Sequence, residues 1–261
     1  GKFLANVAQG SRKDARDAVV AARAAQSGWS SATAYNRGQI LYRIAEMLEG
    51  RREQFVAEIR AMTGVSNSKA NAEVDAAIDS WVWHAGWSDK IDSVAGSMNP
   101  VAGPFFNIST NQPTGVVAVL APQESALVGL VNSIAPAIVS GNTVVVVASE
   151  KLPLSAITLT EVLATSDLPG GVVNMLTGSA KEIGPWLASH QDVNAVDLEG
   201  AHEPVELEIS AAETIKRVIR PNSFERFGSR GSDGARLHAA AARADAAAAR
   251  AARARRPACR N

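Results

Sequence analysis

Four short apolar runs, at 116–120, 144–147, 172–176 and 193–198, constrain this chain more than any other feature. Most of their residues are β-branched, and they are separated by stretches (127–139, 154–165 and 180–190) each long enough for a helix. Strands alternating with helices at this spacing predict a parallel sheet with helices on its faces. The runs are mostly apolar rather than apolar at every second residue, which fits strands buried on both sides. In open sheets of this kind ligands bind beyond the carboxyl ends of the strands. The loops after Leu120, Val147, Leu176 and Leu198 are therefore the candidate binding region.

The first third of the chain carries helical spacing instead. Ser11 and Asp14 form a cap-like start, and Ala15, Ala18, Val19 and Ala22 fall on one face of a helix over 11–26. A second helix over 34–49 has Ile40, Leu41, Ile44 and Leu48 as its stripe and ends at Gly50. Helices over 51–62 and 67–89 follow. Four of the five tryptophans, Trp29, Trp81, Trp83 and Trp87, lie in this helical third. Trp83 and Trp87, four residues apart, share a face, and core packing is the expectation for them.

Composition limits the function classes. With 261 residues, 46% of them hydrophobic, the chain can bury the core of one large domain or two small ones. Its 26 basic residues balance 26 acidic ones, but unevenly: residues 229–261 hold eight Arg against two Asp, a net of +6, leaving −6 for residues 1–228. No apolar run approaches the ~18 residues that span a bilayer. Residues 1–30 lack the layout of a signal peptide, so a soluble, cytoplasmic protein is expected. The single cysteine, Cys259, excludes an internal disulfide framework, and His84, His190, His202 and His238 are too scattered for a metal cluster.

The loop residues resemble those of the aldehyde dehydrogenase superfamily over roughly residues 1–220. The resemblance is carried by PTGVVAVLAP and IAPAIVSGNTVVVVASE within 113–150, DLPGGVVNMLTG at 167–178 and HQDVNAVDLEGA at 190–201, four blocks in the family's order and spacing. GWSSATAYNRGQILYRIAEMLEGRREQF at 28–55 is similar to the family's opening helices. YNRGQILYRIAEML and LATSDLPGGVVN look most like the second module of two-module aldehyde dehydrogenases, whose chemistry is often degenerate. The resemblance implies an α/β fold: a helical N-terminal region and an open, mainly parallel, Rossmann-like sheet. Residues 1–223 would form an incomplete NAD(P)-binding domain. The family's catalytic half, with its nucleophilic cysteine and general-base glutamate, is not in the chain, and Cys259 has no family-like surroundings. No catalytic residue is assigned.

By the same resemblance, the cofactor positions are Pro122, Glu150, Gly178, Gly184 and Gly200, with NAD or NADP as the cofactor. Several neighbours depart from the family pattern. Glu124 stands where an Asn amide donates to a developing oxyanion, and a carboxylate only accepts. Val147 replaces a lysine that would hold the ribose, while Glu150 could contact ribose hydroxyls or cap a helix. Ala201 replaces a serine and Val205 a second glycine, and Glu199 and Glu203 add negative charge near a pyrophosphate. Binding of the cofactor is left open on these grounds. Residues 100–112 align with the family's protruding hairpin, which implies a homo-oligomer or a partner subunit.

From 224 to 261 the composition turns Ser/Gly-rich and then almost wholly Ala and Arg. With few side chains larger than methyl it cannot bury much surface, and disorder or a solvated helix is expected. A GC-rich gene read out of frame, shifted near 222–228, would give this composition. Nucleic-acid binding is disfavoured, because no aromatics interleave the arginines and the preceding region is acidic. The reading is of an aldehyde dehydrogenase-like oxidoreductase fragment, acting on an aldehyde only in a complete protein and inactive by itself. The alternative is a non-catalytic oligomerisation module, a pseudoenzyme.

Overall fold

The computed structural model of the chain describes residues 3–220. Helices α1 (Arg12–Ser31), α2 (Ala34–Glu49), α3 (Arg52–Thr63) and α4 (Asn67–Trp87) come first, followed by a short α5 (Ile91–Ala95). A hairpin of β1 (Ser97–Asn99) and β2 (Asn107–Ser109) leads into the alternating region. There β3 (Val116–Leu120), α6 (Val128–Val139), β4 (Thr143–Val147), α7 (Leu154–Ala164), β5 (Val173–Leu176), α8 (Ala180–Ser189), β6 (Ala195–Asp197), α9 (Pro204–Ala212) and β7 (Arg217–Ile219) follow. The five strands β3 to β7 form one sheet in the order β5-β4-β3-β6-β7, and every pairing is parallel.

Each face of this sheet has its own core. Val117, Val119, Val144 and Val146 point into a layer with α2, α3, α4, α6 and α7, whose fully buried residues include Leu41, Phe55, Trp81 and Ile134. Val116, Ala118, Leu120, Val145 and Val147 point the other way, against α1, α8 and α9 through Val19, Ile183, Leu187 and Leu207. Successive residues of β3 and β4 alternate between two buried faces, so both strands are apolar apart from Thr143 at the start of β4. Helix α1 runs past residue 26, where the sequence pattern ends, to Ser31; in that extension Trp29 is buried and its indole N–H donates to Ile138 O at 2.9 Å.

The α/β architecture and the parallel sheet agree with the expectation. Three elements that the pattern did not single out are also present: α5, α9 and the edge strand β7. Core packing holds for Trp29 and Trp81 but not fully for the other pair. Trp83 and Trp87 are half-buried, with ring centroids 5.4 Å apart, and Trp83 meets His84 edge-on at 4.8 Å. The Ala/Arg segment and Cys259 lie outside the described residues. Among the described residues, no helix is long and apolar enough to cross a membrane, and no group of His, Cys, Asp or Glu could hold a metal ion.

Candidate functional site

The carboxyl ends of β3, β4, β5 and β6 lie side by side and form a crest where the helices α6, α7, α8 and α9 begin. Parallel strands with right-handed crossovers put every strand-to-helix loop at this edge. All five sequence-predicted cofactor positions lie on elements that reach it.

After β3, Pro122 packs its ring toward the first turn of α6; a Cβ at Gly129 would be 3.2 Å from Pro122 Cγ. Gln123 ties two loops together. Its Nε2 donates to Ala121 O at 2.9 Å, its Oε1 accepts from Glu150 N at 2.9 Å, and its carbonyl accepts from Ser149 Oγ at 2.9 Å. Glu124 pairs with Lys151 at the surface. That exposed pair adds little stability, but it places a carboxylate and no amide donor at the position.

Glu150 settles into a capping arrangement, on a helix other than the one that follows it. Its Oε1 accepts from Ala180 N, the first residue of α8, at 2.5 Å. Val147 is fully buried in β4, so no cationic side chain leaves the sheet there.

The three glycines are explained by contacts within the chain. Gly178 has φ +136°, and a Cβ there would lie 2.9 Å from Gly10 N, where the N-terminal segment crosses the end of β5 and Gly10 N donates to Thr177 O at 2.6 Å. Gly184 is inside α8 rather than in the turn before it, and its missing Cβ lets the helix approach Leu120 and Leu207, at 3.3 and 3.6 Å. At Gly200 a Cβ would stand 1.9 Å from Ala121 O, so only glycine lets the loop after β6 lie on the loop after β3. Gly200 N donates to Leu120 O at 2.9 Å. Ala201 and Val205 follow in that loop and in the first turn of α9.

Two contributors to the crest carry no signal in the sequence. Glu73, from the second turn of α4, reaches the start of α6: its Oε1 accepts from Leu127 N at 2.9 Å and Ser125 Oγ at 3.1 Å. Asp197, buried at the end of β6, accepts Glu199 N at 3.1 Å through Oδ1. Local pattern could not find Glu73, because its partner lies 54 residues on, in another element. One carboxyl group perturbed by burial lies away from the crest. Glu58, between α3 and α7, is held above the usual carboxylate range by desolvation, which outweighs its hydrogen bonds from Thr158 and Gln54.

The architecture agrees with comparisons against known proteins. The sequence model of the aldehyde dehydrogenase family matches residues 1–220. The chain belongs to the aldehyde dehydrogenase family. It is 34% identical over 223 residues to aldehyde dehydrogenase 1A1 of Homo sapiens, an alignment covering 82% of this chain and 44% of that protein. A putative aldehyde dehydrogenase, DhaS, of Bacillus subtilis is 29% identical over 223 residues, with 84% and 44% covered. Betaine aldehyde dehydrogenase of Staphylococcus aureus, solved in complex with NAD+, superposes with a TM-score of 0.74 at 27% identity, covering 81% of this chain and 42% of that one. This aldehyde dehydrogenase family chain thus spans less than half the length of these relatives and corresponds to their N-terminal portion.

The family implies a nicotinamide cofactor on the crest. The residues present do not fit it. A dinucleotide needs cations or N–H donors for its pyrophosphate and donors or acceptors for its ribose. Here the buried Val147 offers none, Glu124 is already paired, and Glu150 is committed to Ala180 N.

Proposed function

We propose that this chain is a non-catalytic, N-terminal portion of an aldehyde dehydrogenase-type oxidoreductase, contributing the sheet and helical layers without oxidising an aldehyde by itself. The observation that carries this reading is the absence of any cysteine among the described residues, where the only thiol of the chain, Cys259, is not found. Attack on an aldehyde by this family's chemistry needs a thiolate held beside a base. In a complete protein, the reaction would be NAD- or NADP-dependent oxidation of an aldehyde to an acid, with thiol and base coming from elsewhere. Residues 1–223 act as the folded unit in this reading, residues 224–261 as a low-complexity appendage, and the setting is cytoplasmic.

The test is an assay of the purified chain with NAD+ and with NADP+ over short and long aldehydes. No reduced cofactor above the blank is expected. Turnover would overturn the proposal, and its loss in Cys259→Ala would name the nucleophile.

A second reading, an oligomerisation module with no catalytic partner at all, is favoured by one observation. The hairpin of β1 and β2 and the loop joining them expose Met98, Phe105, Phe106 and Ile108, each more than half accessible. Apolar side chains grouped this way mark an interaction surface, and a second copy of this chain fits it through pairing of like hairpins.

A further inference from the structure

We infer that the crest of this sheet is closed to a nicotinamide dinucleotide by the chain's own carboxylates and carbonyls, which already hold the backbone N–H groups that a pyrophosphate would take. The inference rests on the family reading of the crest as the dinucleotide face. It goes further than single replaced residues, because it concerns three of the four helix starts at the crest, those of α6, α8 and α9.

A helix start attracts anions through its unpaired N–H groups and the positive end of its dipole. At α6, Glu73 arrives from α4 and takes the amide of Leu127 at 2.9 Å, while the amide of Gly129 goes to Ser125 Oγ at 2.8 Å. At α8, Glu150 arrives from the loop after β4 and takes the amide of Ala180. Both starts therefore already carry an anion, and it is covalently part of the chain.

The third start, α9, is closed differently. In the loop before it, Glu199 N is given to Asp197 Oδ1, Gly200 N to Leu120 O and Ala201 N to Leu198 O. The first residue of the helix is Pro204, which has no N–H to give. Glu203 at the cap and Glu206 in the first turn then add two carboxylates beside the amides of the first turn. An incoming pyrophosphate would have to displace intramolecular bonds at two helices and face like charge at the third.

The loops explain why the arrangement is stable without a ligand. Gln123 and Ser149 link the loops after β3 and β4, and Gly200 lies against Ala121, so three loops brace one another. The crest is built as a finished surface, preorganised around its own groups.

The experiment uses the full chain, on a sample whose helical circular dichroism melts cooperatively. NAD+ and, separately, inorganic pyrophosphate are titrated by calorimetry into the millimolar range, and the amide of Ala180 is followed by NMR. No saturable heat, no rise in Tm and an unmoved Ala180 resonance are expected. Saturation below millimolar with either probe, or a saturable shift of Ala180, overturns the inference. Glu150→Ala supplies a second handle: hydrogen exchange at Ala180 should speed up about tenfold or more, as for a lost helix cap, and unchanged exchange overturns the claim that Glu150 holds that amide. Cofactor binding without aldehyde turnover would sink this inference and leave the proposed function standing, whereas turnover would sink the proposed function.

Discussion

The interior of the sheet and the hairpin arm use the same kinds of residue to opposite ends. Along β3 and β4 every residue is buried, because helical layers cover both faces. Along β1 and β2 the side chains of Met98 and Ile108 remain accessible, and beside them Phe106 is 84% exposed. Apolar surface in the sheet is removed from water within one chain, whereas in the arm it stays accessible. The hydrophobic effect is non-directional, so the difference comes from topology. A two-stranded arm has no layer of its own to cover it and is marginal alone in water.

The comparison breaks most visibly if the sheet interior is weakened. Ile134 of α6 is fully buried against the layer of α2 and α4. Replacing it with alanine should cost about 2–5 kcal/mol, the transfer and cavity cost of a buried aliphatic side chain. Urea unfolding followed by circular dichroism would check this. A loss under about 1 kcal/mol would mean the helical layer does not pack on the sheet as described.

The same substitution logic predicts a different outcome in the arm. Phe106→Ser should leave the unfolding midpoint of the single chain nearly unchanged, since the ring is already in water. If the arm pairs copies, the same change should weaken association by about 2 kcal/mol for each phenyl removed from the interface. Sedimentation over a range of concentrations distinguishes the two effects. A large fall in the midpoint with no change in association would show that the ring is packed within its own chain.

The two regions also differ in how much of each could be read beforehand. The parallel sheet was legible because mostly apolar, β-branched runs alternating with helix-length stretches have few other uses, and α2 was placed at Ala34–Glu49 because its stripe and Gly50 mark both ends. Strand β7 was missed, since three half-buried residues beside a change in composition give no periodic signal. Helix α9 was missed because Pro204 and three glutamates conceal its start. At the crest, the resemblance pointed to Pro122, Glu150, Gly178, Gly184 and Gly200, and the pattern carries nothing about their environment. Glu150 could be read as a cap or as a ribose contact. Its actual partner, Ala180, is separated from it by an intervening helix and strand. Trp83 and Trp87 were harder still, because spacing shows that two residues share a face and says nothing about what lies opposite.

The smallest expected effect concerns a polar group within the covered region, and it sharpens the contrast because burial acts on charge as well as on apolar area. Glu58 lies between α3 and α7, accepting from Thr158 Oγ1 at 2.6 Å and from Gln54 Nε2 at 3.1 Å, with its Oε2 buried and unpartnered. Desolvation raises its pKa above the ordinary 4.5, and the nearby carboxylate of Glu161 pushes in the same direction. Arg51 pairs with Glu161 and tempers that repulsion. A carboxyl group with a raised pKa in the folded state binds its proton more tightly there than in the unfolded chain. Its contribution is therefore most favourable below the unfolded value and declines as pH rises through the folded one. Stability should fall slightly between mildly acidic and neutral pH on this account. Glu58→Gln keeps an oxygen acceptor toward Thr158 and Gln54 but cannot ionise, so it should flatten that decline and leave the variant slightly more stable than the parent at neutral pH. Unfolding midpoints of both proteins across this pH range are the measurement. Parallel curves would mean that Glu58 is solvated enough to ionise at its ordinary pKa, and that the seam between α3 and α7 is wetter than the two faces of the sheet.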